Sequence, residues 1–176
     1  MVELTLELAG ESETYGGELA PGHSFILESG QPEWRVLIVE DDPESAIVLQ
    51  KMLTHSGFQV RVAENGALGV EVFQQWRPHF IWMDLGLPQL SGAEATRRIR
   101  QLDGGAEIKI AAITASAYAS ERDGVIRAGF DDFASKPFRQ TEIFLCMARH
   151  LPVRYSSSEG VGNKSHREAG GRPASG

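Results

Sequence analysis

Glu40, Asp41, Asp84, Thr114 and Lys136 are the residues of this chain whose types and spacing can do chemistry together. Each follows closely on an apolar run: RVLIV before Glu40 and Asp41, FIWM before Asp84, IAAI before Thr114 and DDFAS before Lys136. Carboxylates gathered in one place repel, by about 4 kcal/mol for a pair near 4 Å at an effective dielectric of ~20. A hard divalent cation relieves that repulsion, because Mg²⁺ takes one or two carboxylates, keeps several waters and leaves positions for phosphate oxygens. An ammonium and a hydroxyl at the same place add the neutralisation and hydrogen bonding that phosphoryl transfer needs. Asp84 is then a candidate nucleophile, since aspartyl phosphates are a known class of covalent intermediate. The plainer reading of an acid at a strand end is a turn former or helix cap. Asp42 fits that reading, but it leaves Thr114 and Lys136 unexplained.

For these side chains to meet, the elements before them must end on one rim. The runs RVLIVE, FQVRVAE, HFIWMD, IKIAAIT and DDFASK have strand length and β-branched or aromatic content. Helical segments alternate with them. DPESAIVLQKMLTHSG starts on Asp42 as an N-cap with Pro43 at the first helical position, and stops at Gly57. GALGVEVFQQWRP, GAEATRRIRQL, ASERDGVIRAG and TEIFLCMARHL follow the same plan. Five strands alternating with five helices predict an α/β fold: a doubly wound five-stranded parallel sheet with helices on both faces. In such sheets ligands bind beyond the carboxyl ends of the strands, where the five residues fall.

The pieces RVLIVEDD, WMDLGLPQLSG, IAAITASA and GFDDFASKPF, in that order at successive strand ends, resemble the receiver domain of two-component response regulators over about residues 34 to 152. The resemblance implies a flavodoxin-like strand order of 2-1-3-4-5 and Mg²⁺ (or Mn²⁺) as cofactor. It makes Asp84 the phosphoacceptor, with Thr114 and Lys136 as the phosphate-sensing hydroxyl and lysine. Asp41, Asp84 and the Gly86 carbonyl would hold the metal, with Glu40 acting through water. Thr114 and Phe133 would form the switch, and the Lys136 to Pro137 peptide would be cis. Phe133 carries no hydroxyl and is expected to be more buried than a switch tyrosine. Gly86 and Ser116 would shield the phosphoryl group little, implying a short-lived aspartyl phosphate. The implied partners are a histidine kinase or a histidine phosphotransfer protein, through an output face of the fourth helix, fifth strand and fifth helix. A phosphorylation-dependent homodimer stays open.

GQPEWRVLIVEDD, AITASAY, KPFRQTEIF and HLPVRY are together similar to receivers at the C-terminus of hybrid sensor histidine kinases. By that resemblance VELTLELAG is the last strand of a preceding ATP-binding domain. Its nucleotide-binding motifs are absent here, so the chain is not expected to make phosphohistidine, only to accept and hydrolyse its own phosphoryl group. A fragment of a hybrid kinase and a stand-alone regulator both fit.

The remaining sequence narrows the alternatives. The 176 residues divide into an N-terminal arm over 1–33, a domain over 34–152 and a tail over 153–176 that is expected to be disordered, since residues 156–176 have almost no large apolar side chains. A net charge of −7 argues against nucleic acid as a partner. No apolar run is long enough to span a bilayer, so no membrane contact is expected. The single cysteine, Cys146, reads as a core hydrophobe in a reducing, cytoplasmic setting. Trp34, Trp76 and Trp82 read as packing residues. The five histidines show no i, i+3 or i, i+4 pairing and suggest no metal site. A dehalogenase-type phosphatase needs a second Asp two residues after the nucleophile, where Gly86 stands, and no P-loop motif exists. The remaining competitor is a degenerate receiver acting as an unphosphorylated interaction module.

Overall fold

Period-2 strands whose two faces are both apolar need cover on both sides, and the chain supplies it. The computed structural model describes residues 25–115 and 119–156. Its elements are β1 (Ile26–Leu27), β2 (Arg35–Val39), α1 (Pro43–His55), β3 (Gln59–Ala63), α2 (Gly66–Trp76), β4 (Phe80–Asp84), α3 (Gly92–Arg100), β5 (Lys109–Thr114), α4 (Ala119–Arg127), β6 (Asp132–Ser135), α5 (Gln140–His150) and β7 (Tyr155–Ser156). Strands β2 to β6 form one parallel sheet in the order β3-β2-β4-β5-β6. Counted from Arg35, this is the expected 2-1-3-4-5 order of a flavodoxin-like fold.

Alternation sorts the core. Val36, Ile38, Phe80, Trp82, Ala111 and Ile113 pack with α1 and α5 through Leu49, Leu53, Phe144 and Met147. Leu37, Val39, Ile81, Met83, Ile110 and Ala112 face the opposite way, onto α2, α3 and α4 through Phe73, Ile99 and Val125. Cys146 and Trp82 are fully buried and Trp34 nearly so. Arg61 lies over the half-buried Trp76 ring, 4.8 Å from its centroid.

The local signals act as chemistry predicts. Asp42 accepts the Ser45 amide at 3.0 Å, Asn65 the Leu68 amide at 2.8 Å and Ser91 the Glu94 amide at 3.2 Å, satisfying otherwise orphaned N–H groups at three helix starts. Gly57 follows α1 at φ 102°, a left-handed conformation that disfavours other residues.

Regular structure continues on both sides of the span drawn from sequence at 34–152. β1 lies in the presumed arm and β7 in the presumed tail, yet they pair antiparallel, Ile26 with Ser156 and Leu27 with Tyr155. They join apart from the central sheet because Phe25, Leu27 and Tyr155 add apolar surface against Phe58 and Phe144. The run VELTLEL, Ser116 and residues 157–176 lie outside the described residues. Among the described residues no helix is long and apolar enough to cross a membrane.

Candidate functional site

Register places the five residues side by side. Val39 pairs with Met83, so Glu40 and Asp41 emerge level with Asp84; Asp84 pairs with Ile113, one residue before Thr114; Thr114 pairs with Ser135, one residue before Lys136. The Lys136 amide closes the row by donating to the Thr114 carbonyl at 2.9 Å. Thr114 and Asp84 are buried, at 6% and 7% exposure. The peptide from Lys136 to Pro137 is cis, as the resemblance implied.

Lys136 Nζ stands 2.8 Å from Glu40 Oε2 and 3.5 Å from Asp84 Oδ2, so one ammonium bridges two carboxylates. Asp84 Oδ1 accepts the Gly86 amide at 2.9 Å, and Glu40 Oε1 accepts the Asp42 amide at 3.1 Å. Carboxylate oxygens of Glu40, Asp41 and Asp84 lie within 4.8 Å of one another. Burial, aided by Asp84 and opposed by Lys136, lifts the Glu40 carboxyl from 4.5 to about 7. Burial lowers the Lys136 ammonium, but Glu40 and Asp84 together outweigh it and hold its pKa above the usual lysine value. Three all-oxygen donors with a raised carboxyl and exposed Asp41 and Gly86 at the rim fit a hard, hydrated divalent cation. A cavity of about 630 Å³ opens beside Asp84, lined also by Gly86, Ala93, Thr114, Val125 and Lys136.

The loop after Asp84 is shaped by close approach. A Cβ on Gly92, the first residue of α3, would sit 2.0 Å from the Asp84 carbonyl oxygen, so only glycine lets the helix start against the strand end. Phe133 is partly buried on the face of the sheet that packs with α2, α3 and α4.

Two features were missed in the sequence. Glu142, at the third position of α5, accepts the Ser135 amide at 3.2 Å and thus touches the residue before Lys136. An acid at the third helical position, with no side-chain cap before it, was the available signal. The second feature is a group of three ligand types, Asp132, Cys146 and His150, within 4.8 Å. Cys146 and His150 stand at i, i+4 on α5, a mixed pair that histidine spacing alone does not reveal. The group is already satisfied: Asp132 Oδ2 lies 2.8 Å from Arg149 Nη2 and 2.9 Å from His150 Nε2, and Oδ1 accepts the Phe133 amide. Burial pushes the Cys146 thiol up, so it stays protonated. The cluster pins α5 to β6.

A family model for the response regulator receiver domain matches residues 36–147. The chain belongs to this family. Its relatives include the response regulator MprA of Mycobacterium sp. (strain KMS), 33% identical over 126 residues that span 72% of this chain and 54% of MprA. They also include the sensor histidine kinase GacS of Pseudomonas protegens, 30% identical over 112 residues, 62% of this chain and 12% of GacS. This receiver thus spans about half the length of the MprA regulators it matches and a small part of GacS. The receiver domain of sensor histidine kinase PA1611 from Pseudomonas aeruginosa PAO1, solved with magnesium in its active-site cleft, is 34% identical at a TM-score of 0.63, covering 68% of this chain and 98% of that one. The receiver domain of Saccharomyces cerevisiae Ssk1, solved with the histidine phosphotransfer protein Ypd1, gives 29% identity and a TM-score of 0.60 over 68% of this chain and 93% of that one.

Proposed function

We propose that this receiver accepts a phosphoryl group from a phosphohistidine onto Asp84 in an Mg²⁺-dependent reaction. The observation that carries the reading is Lys136 bridging Glu40 and Asp84 at the strand ends, beside a hydroxyl and an open cavity. A carboxylate oxygen of Asp84 attacks phosphorus, the P–N bond breaks, and the leaving imidazole takes up the electron pair. The rigid sheet aims Asp84, and Lys136 shifts from carboxylate to phosphoryl oxygen as charge arrives. Asp41, Asp84 and the Gly86 carbonyl would hold the metal, with Glu40 through water; bound there, it neutralises the gathered carboxylates and the phosphoryl oxygens. Mn²⁺ fits the same oxygen donors.

Thr114 senses the phosphoryl group and Phe133 follows, altering the surface of α4, β6 and α5. The partner is a histidine kinase or a histidine phosphotransfer protein, and the Ypd1 complex of a similar receiver supports that class of donor. Relatives among both kinases and regulators support either parent context. The reaction is assigned to the cytoplasm, where a buried, unpaired thiol suits the redox state.

Intact mass after incubation with acetyl phosphate and Mg²⁺ tests the reading. One added phosphoryl mass that Asp84→Asn and EDTA both abolish supports it. No added mass, under conditions that preserve an acyl phosphate, would favour the unphosphorylated interaction module.

A further inference from the structure

β6 is an edge strand, so its backbone N–H groups alternate between the sheet and the open side. The Lys136 amide faces inward and donates to the Thr114 carbonyl at 2.9 Å. The Ser135 amide donates instead to Glu142 Oε1 at 3.2 Å, a carboxylate from the first turn of α5. An acid at the third helical position commonly reaches back to its own N-cap amide. Here the N-cap, Arg139, makes no side-chain cap bond, and the Glu142 carboxylate spans seven residues to the strand end. The peptide between Ala134 and Ser135 is therefore tied from α5, while the next one, which leads into Lys136, is tied from β5.

This arrangement has a chemical consequence. Lys136 reaches Glu40 and Asp84 only if its backbone stays where the β6 edge puts it, and among the described residues the strand's outer side has no neighbouring strand to hold it. We propose that Glu142 is a positioning residue for Lys136: it fixes the end of β6 so that the ammonium meets the phosphoryl group on Asp84. The inference rests on the phosphoacceptor reading above and deepens it. Among the described residues Glu142 makes no hydrogen bond or ion pair with Glu40, Asp41 or Asp84, so its effect falls on recognition of the phosphoryl group and spares metal binding.

Beryllium trifluoride, which mimics a phosphoryl group on a carboxylate, separates the two. Binding of Mg²⁺ alone, and of beryllium trifluoride at saturating Mg²⁺, would be followed by Trp82 fluorescence or calorimetry in the full chain. Glu142→Asp keeps the charge favoured at a helix start but shortens the reach; Glu142→Gln keeps the reach and an acceptor oxygen. The expected result is a beryllium trifluoride affinity roughly tenfold weaker in Glu142→Asp, as for other outer supports of a site, with Mg²⁺ affinity within about twofold. Glu142→Gln restores most of the loss. Unchanged beryllium trifluoride binding in Glu142→Asp, or a parallel fall in Mg²⁺ affinity, would overturn the positioning role. A wild-type protein that binds Mg²⁺ but not beryllium trifluoride would overturn the phosphoacceptor reading itself, and this inference with it.

Discussion

Phe25 stacks on Phe144 with ring centroids 4.8 Å apart and planes 19° from parallel, although the two lie near opposite ends of the domain sequence. Tyr155 meets both rings edge-on at 5.5 Å, and its hydroxyl donates to the Phe144 carbonyl. Gln31 both donates to the Arg154 carbonyl and accepts its amide. The β1 and β7 clasp is thus fastened to α5 by rings and to itself by backbone.

Phe25→Ala should therefore lower stability by about 2 kcal/mol, less than the ~3–5 kcal/mol of a fully buried phenylalanine because Phe25 is half-buried. The melting temperature falls by about 4–8 °C for a chain of this size. Truncation after residue 151 gives a loss at least as large, and truncation after residue 156 leaves the clasp intact. Thermal melts of the three variants decide whether the clasp belongs to the folding unit.

Glu40 gives the metal-free protein a pH dependence of definite sign. Its side chain is 1% exposed and its pKa rises from 4.5 to about 7, so between those values the folded state binds the extra proton. Stability then falls as pH rises from about 4.5 to 7, by roughly 3 kcal/mol at 1.36 kcal/mol per unit. Glu40→Gln cannot ionise. In EDTA it should be more stable than wild type at pH 8 and similar at pH 4.5. A wild-type slope retained in this variant would place the effect elsewhere.

His79 gives a slope of the opposite sign. Its Nδ1 accepts the Arg35 amide at 3.0 Å, and its ring packs edge-on against Trp34 at 5.2 Å. Burial, with a smaller contribution from Arg35, holds its pKa below 6.5. A lowered histidine binds fewer protons folded than unfolded, so its contribution is intact above about 6.5 and is lost as pH falls below that value. Asn keeps an acceptor oxygen and cannot be protonated. Urea midpoints at pH 7.5 and 5.5 should differ less in His79→Asn than in wild type, most visibly on a Glu40→Gln background.

What was legible in the sequence was periodic or local. Alternation in RVLIVE and HFIWMD carries both the strands and their two buried faces, and strand ends carry Glu40, Asp84, Thr114 and Lys136 to one rim. The clasp was not legible, because two-residue strands have no period and their pairing depends on contacts across the whole domain. Arg100 shows the same limit. It looks like a surface residue at the end of a polar helix, yet its guanidinium is mostly buried, donating to the Gly105, Ile108 and Gly129 carbonyls and pairing with Asp131 at 2.8 Å. No neighbour in sequence announces those acceptors. Glu142 sits between the cases, since its helical position was readable and its distant partner was not.

On the proposed phosphoacceptor reading, Gly86 sets how long an aspartyl phosphate on Asp84 would last. It is exposed, its amide donates to Asp84 Oδ1, and a Cβ added to it would lie 3.6 Å from that oxygen, an ordinary contact. A side chain is therefore accommodated without strain and would stand between solvent and an aspartyl phosphate. Water must reach phosphorus for hydrolysis, and glycine leaves that approach open. Gly86→Arg is expected to fold with an unchanged melting temperature and to slow loss of the phosphoryl group roughly tenfold, a barrier increase of about 1.4 kcal/mol. The decay of the phosphorylated mass, after acetyl phosphate is removed and with Mg²⁺ kept present, reads this directly. Equal decay in both proteins would mean that the water arrives from another side, such as across the cavity floor at Ala93 and Val125.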